Sequence, residues 1–226
     1  MIADTRASAR PARVDSTPVA HHDRNVPKPT RSADAASTSL RERLLKATAV
    51  EVSEVGVDGV SLRAIARRIG VSHQAPAHVF GSRRGLLTAL ATEAVNRMRD
   101  ETNATAEAAR AAGRSGPEVV VAIGLRYIEI ALREQALFAL ASRSEVLDLA
   151  DPDLVRARDG AWLVLLDAVT DAQAQGWRAG QPTDVVALMC WSMVQGLAVI
   201  YRDRLAPEEI ANRSPEDLVR EITALF

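Results

Sequence analysis

From about residue 39 onward, apolar residues recur three or four positions apart along most of the chain. This spacing puts them on one face of an α-helix, whereas the strict alternation that is typical of strands is rare. Glycine and proline interrupt the periods near 56–59, 113–117, 176–182 and 207–215. The pattern therefore predicts an all-α protein.

Two short periods near the N-terminal end predict a compact motif. The first covers 61–69, and Gly70 ends it because glycine readily adopts the left-handed conformation beyond a helix. A second short helix is predicted over His73–Val79, with Ser72 as its N-cap. Two helices joined by a tight turn with glycine form a helix-turn-helix, whose second helix enters the DNA major groove.

The remaining periods are longer and predict a helical body. A long helix that starts after Ser82 should leave the N-terminal bundle and enter this body. We therefore divide the chain into a tail (1–38), a three-helix helix-turn-helix domain (39–85) and a helical domain (86–226). The predicted helices outside the motif cover about 39–55, 83–112, 118–133, 136–143, 152–175, 182–202, a short stretch after Pro207, and 215–226.

The composition of the chain bears on its order and on its location in the cell. Residues 1–38 mix Pro, Ser, Ala and Arg without any period, which predicts a disordered tail. The N-terminus lacks the apolar core of a signal peptide, and the apolar run 185–200 is shorter than a membrane span. Cys190 is the only cysteine, lies in this apolar run and should be a buried, inert thiol. We expect a cytoplasmic protein that makes no membrane contact.

The overall net charge of −1 hides a difference between regions. The net charge is +2 over 1–38, +4 over 39–100 and −7 over 101–226. A basic N-terminal module on an acidic body suggests a polyanion as its partner. An ordinary charged surface would explain the +4 as well, so the motif decides between the two interpretations.

Base readout requires side chains that reach base edges from an element that fits the groove. Gln74 can bond an adenine edge, Arg63 can reach guanine, and Ala75 can meet a thymine methyl group. His73 and His78 complete the set, with His78 able to contact a base or a phosphate. A metal pair is disfavoured because the two histidines are five positions apart, which puts them on different helix faces.

The start of the long helix has the features of a phosphate contact. Ser82 opens the helix, and its free N-terminal amides can face a phosphate. Arg83 and Arg84 lie where the helix dipole disfavours cations, which is explained if a phosphate binds there. Ser72, at the start of the preceding helix, completes the predicted DNA-binding residues.

A longer string of residues at characteristic spacing supports a family resemblance. With it, residues 40–90 resemble the DNA-binding domain of the TetR/AcrR transcriptional regulators. Three positions depart from that family: Ala77 replaces a phosphate-binding tyrosine, Val79 replaces histidine, and Glu51 takes a usually apolar position. The string consists of Leu44-Leu45, Ala47, Glu54, Gly56, Ser61-Leu62-Arg63, Ile65-Ala66, Gly70-Val71-Ser72, Phe80, Ser82-Arg83 and Leu86-Leu87.

The resemblance implies a homodimer with a helical ligand-binding and dimerisation domain, and repression that a small molecule relieves. Residues 191–197 are similar to the family's Trp-His-Gly type of C-terminal domain, with Gln195 where histidine is usual. Few charges interrupt these helices, so the effector should be apolar or aromatic. We expect no cofactor and no metal. Candidate pocket residues, each of which could instead be core, are Tyr127, Phe138, Trp162, Leu166, Trp177, Met189 and Met193.

The helices over 182–202 and 215–226 should form the dimer interface, unless they pack within one chain. A dimer is needed because two recognition helices about one DNA turn apart read a palindrome. The candidate interface residues are Leu188, Trp191, Leu218, Ile222 and Leu225.

The sequence thus predicts a homodimeric repressor of a palindromic DNA operator, released by a small apolar or aromatic effector. The alternatives are an effector-independent DNA-binding regulator and a transcriptional activator. An enzyme is disfavoured because the sequence has no Ser/His/Asp set, metal cluster or glycine-rich phosphate loop, and both histidines beyond the tail lie in the recognition helix.

Overall fold

The computed structural model describes residues 39–225, so the predicted disordered tail lies outside the described residues. Within 39–225 the chain forms ten α-helices and no strand, which confirms the all-α prediction. The helices are α1 (Leu40–Gly59), α2 (Leu62–Arg68), α3 (Ala75–Phe80), α4 (Arg83–Ala111), α5 (Gly116–Arg133), α6 (Gln135–Ala141), α7 (Pro152–Ala174), α8 (Thr183–Arg202), α9 (Glu208–Ala211) and α10 (Pro215–Leu225), with a 3₁₀ turn at Ser144–Val146.

Local sequence signals set several helix ends. The Ser82 hydroxyl accepts a hydrogen bond from the Gly85 amide at 3.1 Å, as expected for the N-cap of α4. Asp151 caps α7 by accepting from the two amides at 153 and 154. Gly70 has a φ of 69°, so it ends α2 in the predicted left-handed conformation. Gly56, with a φ of 72°, kinks α1, and one further turn follows.

The start of α3 differs from the prediction. The helix begins at Ala75 rather than His73, and Gln74 rather than Ser72 occupies the N-cap. Proline explains the shift. In a helix that started at His73, the backbone nitrogen of residue 76 would have to donate to the Ser72 carbonyl, and proline has no N–H. With the later start, Pro76 lies in the first turn, where no donor is needed. The Ser72 hydroxyl instead accepts from the Gln74 amide at 3.3 Å.

The core of the N-terminal bundle continues into the body. Leu44 and Leu86 are fully buried in one apolar cluster together with Leu140, Leu147 and Leu154, which follow much later in the chain. α4 has 29 residues and is therefore about 44 Å long, so it passes from this cluster into the body. A continuous core consequently crosses the boundary predicted near residue 85.

The body is built from α4, α5, α7 and α8, and α10 packs on α5 through Leu218 and Val219. α8 has 20 residues and is therefore longer than the apolar run 185–200 that lies within it. Its length and composition alone are therefore compatible with a membrane span, contrary to the expectation from the run. It packs against α5 and α7 through buried Val186, Ala187 and Val194, whereas Val185, Leu188 and Trp191 are exposed.

Candidate DNA-binding surface and ligand cavity

The α2–α3 motif presents a polar surface on an apolar base. Ile65 and Ala66 of α2 and Pro76 of α3 are buried beneath it. Phe80, at the end of α3, is half-buried, and the Arg41 guanidinium lies 5.6 Å from its ring centroid. Because these contacts fix its inner face, the six-residue helix keeps its outer face toward solvent.

Four of the predicted base-reading side chains lie on this outer surface. Arg63, His73, Gln74 and His78 are exposed, and none of their side chains has a hydrogen-bond partner among residues 39–225. Ala75 is half-buried at the first position of α3. The donors and acceptors needed for base edges are thus available in the free protein.

Arg83 lies differently from the sequence expectation, because its guanidinium points back toward the end of α1. Its Nε donates to the Val60 carbonyl at 3.0 Å, and its Nη2 donates to the carbonyls of Val57 and Asp58. These carbonyls follow the α1 kink at the end of the helix, and only the Val57 carbonyl among them also accepts a backbone bond, from the Val60 amide at 3.4 Å. Arg83 therefore joins the first turn of α4 to the end of α1.

Arg84 joins the same turn of α4 to the segment after α6. Its Nη1 and Nη2 donate to the carbonyls of Leu147 and Glu145, both at 3.0 Å. Nearby, Arg143 forms an ion pair with Asp58 at 2.9 Å, and this contact lowers the pKa of the Asp58 carboxyl. The phosphate contacts expected of both arginines stay predictions, and the unusual cations at this helix start have carbonyl partners within the chain.

The departure at Glu51 also has a partner. Glu51 is 7% exposed, and its carboxylate lies 3.1 Å from Arg68 Nη2. Arg68 bonds Glu54 as well, and these two carboxylates raise the pKa of its guanidinium. A buried carboxylate is tolerated when it is paired and hydrogen-bonded, so the substitution is compatible with the bundle.

The body contains a cavity of about 630 Å³. Four predicted pocket residues, Tyr127, Phe138, Trp162 and Met193, line it. The other three, Leu166, Trp177 and Met189, do not line it and pack against the cluster of α4, α5, α7 and α8. The cavity volume is within the range of sites for drug-sized ligands, roughly 300–1,000 Å³.

Aromatic contacts shape the cavity wall. Trp162 and Trp191 meet edge to face with ring centroids 6.3 Å apart, and Tyr127 meets Phe138 in the same way at 5.7 Å. Cys190 also lines the cavity, and burial raises the pKa of its thiol to about 11. The prediction of a buried thiol is confirmed, and its thiolate fraction at neutral pH is very small.

Polar groups at the cavity are few. Trp191 Nε1 donates to the Tyr127 hydroxyl at 3.5 Å, and this hydroxyl donates to Gln195 Oε1. Burial raises the pKa of Tyr127, which keeps the phenol protonated. Arg158 of α7 also borders the cavity and donates from Nη2 to the Ala141 carbonyl at 3.2 Å. Arg158 is not among the predicted pocket residues, although it lies four residues before Trp162 and so shares its helix face.

The five predicted interface residues have different environments. Leu188 and Trp191 of α8 are 50% and 44% exposed, and Leu225 near the chain end is 80% exposed. Leu218 is only 6% exposed, and Ile222 is half-buried against the same cluster within its own chain. Trp191 has two environments, because it also lines the cavity.

Comparison with known proteins assigns both parts of the chain. Residues 44–90 match the family model for bacterial regulatory proteins of the tetR family. Residues 120–225 match the model for the tetracyclin repressor-like C-terminal domain, so the two matches together cover more than half of the chain. No curated protein matches the sequence at a significant level.

Solved structures share the fold over most of the chain. A protein of unknown function from Rhodococcus sp. RHA1 is 26% identical with a TM-score of 0.73, covering 86% of this chain and 96% of that one. The TetR-family regulator PfmR from Thermus thermophilus is 18% identical with a TM-score of 0.58, covering 81% and 96%. FadR from Bacillus subtilis, solved in complex with stearoyl-CoA, is 12% identical with a TM-score of 0.63, covering 81% and 95%. The chain belongs to the TetR family and is a DNA-binding transcriptional regulator.

Proposed function

We propose that this regulator is a homodimeric, cytoplasmic repressor that binds a palindromic operator and releases it when a small apolar or aromatic effector fills the cavity. The observation that carries the proposal is the apolar cavity of about 630 Å³ in the body. Protein interiors are normally close-packed, with few voids larger than a water molecule. A space of this size, walled by aromatic side chains, is therefore suited to a ligand.

The exposed side chains of the motif supply the DNA contacts. Gln74 reads an adenine and Arg63 a guanine, while His73 and His78 contact bases or phosphates. The α4 N-terminus capped by Ser82 binds a phosphate through its free amides.

Two other groups of the predicted DNA set act at the edges of this surface. Ala75 is positioned by the α3 start for a thymine methyl group, and Ser72 lies in the turn before it. Arg83, which is half-buried, and Arg84, which is exposed, hold the first turn of α4, because their guanidinium groups bond carbonyls of the chain.

An exposed apolar face on α8 supports the homodimer. Val185, Leu188 and Trp191 follow one another at three-residue spacing and are 57%, 50% and 44% exposed. This spacing keeps them on one side of the helix, and a contiguous exposed apolar face marks an interaction site. In the dimer it meets its own copy, and the two recognition helices must lie about 34 Å apart to read a palindrome.

The contacts between the cavity and the motif supply a route for release. Ala141 lines the cavity, and two residues later Arg143 pairs with Asp58 of α1. The same segment accepts both hydrogen bonds from Arg84 of α4. An effector that shifts this segment changes the position of the motif, and couplings of this kind are typically ~1–3 kcal/mol.

Fluorescence anisotropy with a labelled palindrome from upstream DNA tests the proposal. We expect saturable binding of one dimer per palindrome, with an affinity that falls as salt rises. Binding no tighter than to a scrambled duplex at moderate salt would refute it. An affinity that no apolar compound changes would favour the effector-independent regulator, and increased transcription from a reporter promoter would favour the activator.

A further inference from the structure

The hydrogen-bonding groups of the cavity define what its ligand must carry. We infer that the effector is an apolar monocarboxylate whose carboxylate is bound between Arg158 and Gln195. This inference rests on the proposed effector function and specifies the chemical class of that effector.

The hydrogen bonds around Gln195 each have a defined donor and acceptor. An indole N–H can only donate, so the Tyr127 hydroxyl accepts from Trp191. The hydroxyl proton is then free to donate, and its acceptor is the Gln195 carbonyl oxygen. The Gln195 amide group consequently has its two N–H donors left over, and Gln195 lines the cavity. A ligand group that meets it must be an acceptor.

Arg158 brings a positive charge to the cavity wall. A guanidinium has five N–H donors and is always protonated, and among residues 39–225 Arg158 uses one donor, on the Ala141 carbonyl. No carboxylate pairs with it within that range, and it is half-buried at the wall of the cavity. Its neighbour Asp159 also borders the cavity but is exposed, and no ion pair joins the two side chains in the structure of residues 39–225. A partly desolvated cation favours a bound anion.

The Arg158 guanidinium and the Gln195 amide group are carried by neighbouring helices. α7 and α8 are antiparallel neighbours, because Trp162 contacts Trp191 while Gln173 bonds Thr183 near the turn between the helices. Arg158 is one turn before Trp162, and Gln195 is one turn after Trp191. Because the two helices run in opposite directions, one turn back along α7 and one turn forward along α8 point toward the same end of the pair. The two donors therefore lie at the same level of the cavity wall.

The remaining cavity groups explain why the ligand is otherwise apolar. The hydroxyl groups of Thr102, Ser142 and Thr223 each bond a carbonyl of their own helix or of the residues just before them. These three hydroxyl groups therefore need no hydrogen-bond acceptor from a ligand. Apart from Asp159, the rest of the wall is aliphatic, aromatic or sulfur-containing, so a single anionic group with an apolar body fits it.

The test compares decanoic acid with decanamide, which has the same chain and a carbonyl oxygen but no charge. Binding is followed at neutral pH by isothermal titration calorimetry on the full-length protein and by fluorescence of the cavity tryptophans. We expect decanoate to bind about tenfold more tightly than decanamide, because a charge-assisted bond to Arg158 is made only by the acid. Arg158→Gln should remove this preference by weakening decanoate binding about tenfold, with decanamide unchanged.

Two further variants make the test specific. Arg156→Gln is the matched control, since Arg156 is exposed on the same helix, pairs with Asp153 and does not line the cavity. Gln195→Glu adds a carboxylate at the same level and should weaken decanoate binding while sparing decanamide. This variant keeps the inference testable if Arg158→Gln fails to fold.

The outcomes separate this inference from the proposed function. Equal binding of the two probes, or loss of both in Arg158→Gln with the fold retained, would overturn the carboxylate site. Operator release by neutral apolar compounds but not by decanoate would overturn it too, and would leave the proposed function standing. If no apolar compound binds the cavity or affects operator binding, the proposed effector function fails together with the inference.

Discussion

The substitution Arg83→Met removes a guanidinium from the junction of α1 and α4 while keeping an apolar stem of similar length. Arg83 donates to three carbonyls at the end of α1, with the Val60 bond at 3.0 Å and the Asp58 bond, at 3.4 Å, the weakest. Without the guanidinium, the Val60 and Asp58 carbonyls lose their donor, while the Val57 carbonyl keeps only the bond from the Val60 amide at 3.4 Å. The substitution therefore distinguishes a structural arginine from one that binds DNA phosphate.

Hydrogen bonds from charged donors contribute about 1.5–3 kcal/mol each when one partner is removed. The site is half-buried, so water can replace part of the lost bonding, and the two stronger bonds together should contribute about 2–3 kcal/mol. For a chain of this size, each kcal/mol corresponds to roughly 2–4 °C in Tm. We therefore expect the free energy of unfolding to fall by about 2–3 kcal/mol and the Tm by roughly 5–10 °C.

Thermal and urea unfolding followed by circular dichroism measure this change, and anisotropy at several salt concentrations measures the DNA contribution. The matched control is Arg67→Met, because Arg67 is exposed and has no side-chain partner among the described residues. It should stay within about 0.5 kcal/mol of the wild type. An Arg83→Met variant with unchanged Tm, and with a salt slope reduced by about one, would refute the structural role in favour of a phosphate contact.

Three other predictions follow from single positions. Gln74→Ala should change the preferred operator sequence in competition binding rather than weaken all DNA equally; an unchanged preference would reject its role in base reading. Gly85→Ala should lower the Tm and the operator affinity, because the added Cβ would lie 2.2 Å from the Phe80 carbonyl oxygen, whereas Gly196→Ala, with open space around its Cβ, is the control. Cys190 should react with a disulfide reagent at about pH 8 roughly 100-fold more slowly in the native than in the unfolded protein, since its raised pKa leaves little thiolate; equal rates would contradict this.

Sequence periodicity was sufficient for the fold because each helix of the body has an apolar face and local signals at its ends. Ser82 and Asp151 are caps in the structure, and Gly70 adopts its left-handed conformation. These features depend only on residues a few positions apart. The α3 start was misplaced because two local signals competed, and the proline requirement at 76 overrode the capping preference of Ser72.

The hydrogen-bond partners of the charged side chains could not be predicted from the sequence. Arg84 bonds carbonyls about sixty positions away, and main-chain acceptors have no sequence signature. Arg158 was missed for a similar reason, since only the packing of α7 beside α8 brings it to the cavity. Four of the seven proposed pocket residues line the cavity, because inward-facing aromatic residues are equally suited to core and pocket.

The hydrogen bonds from Arg84 to the 145–147 segment have an evolutionary consequence. They end on main-chain oxygens, so the identity of the residues that supply those oxygens is irrelevant to the contact. Homologues can exchange the side chains of this segment and keep the connection, provided that the backbone path is unchanged. Insertions and deletions there should therefore be rare, while substitutions should be common, and Arg84 itself should vary only together with the length of the segment.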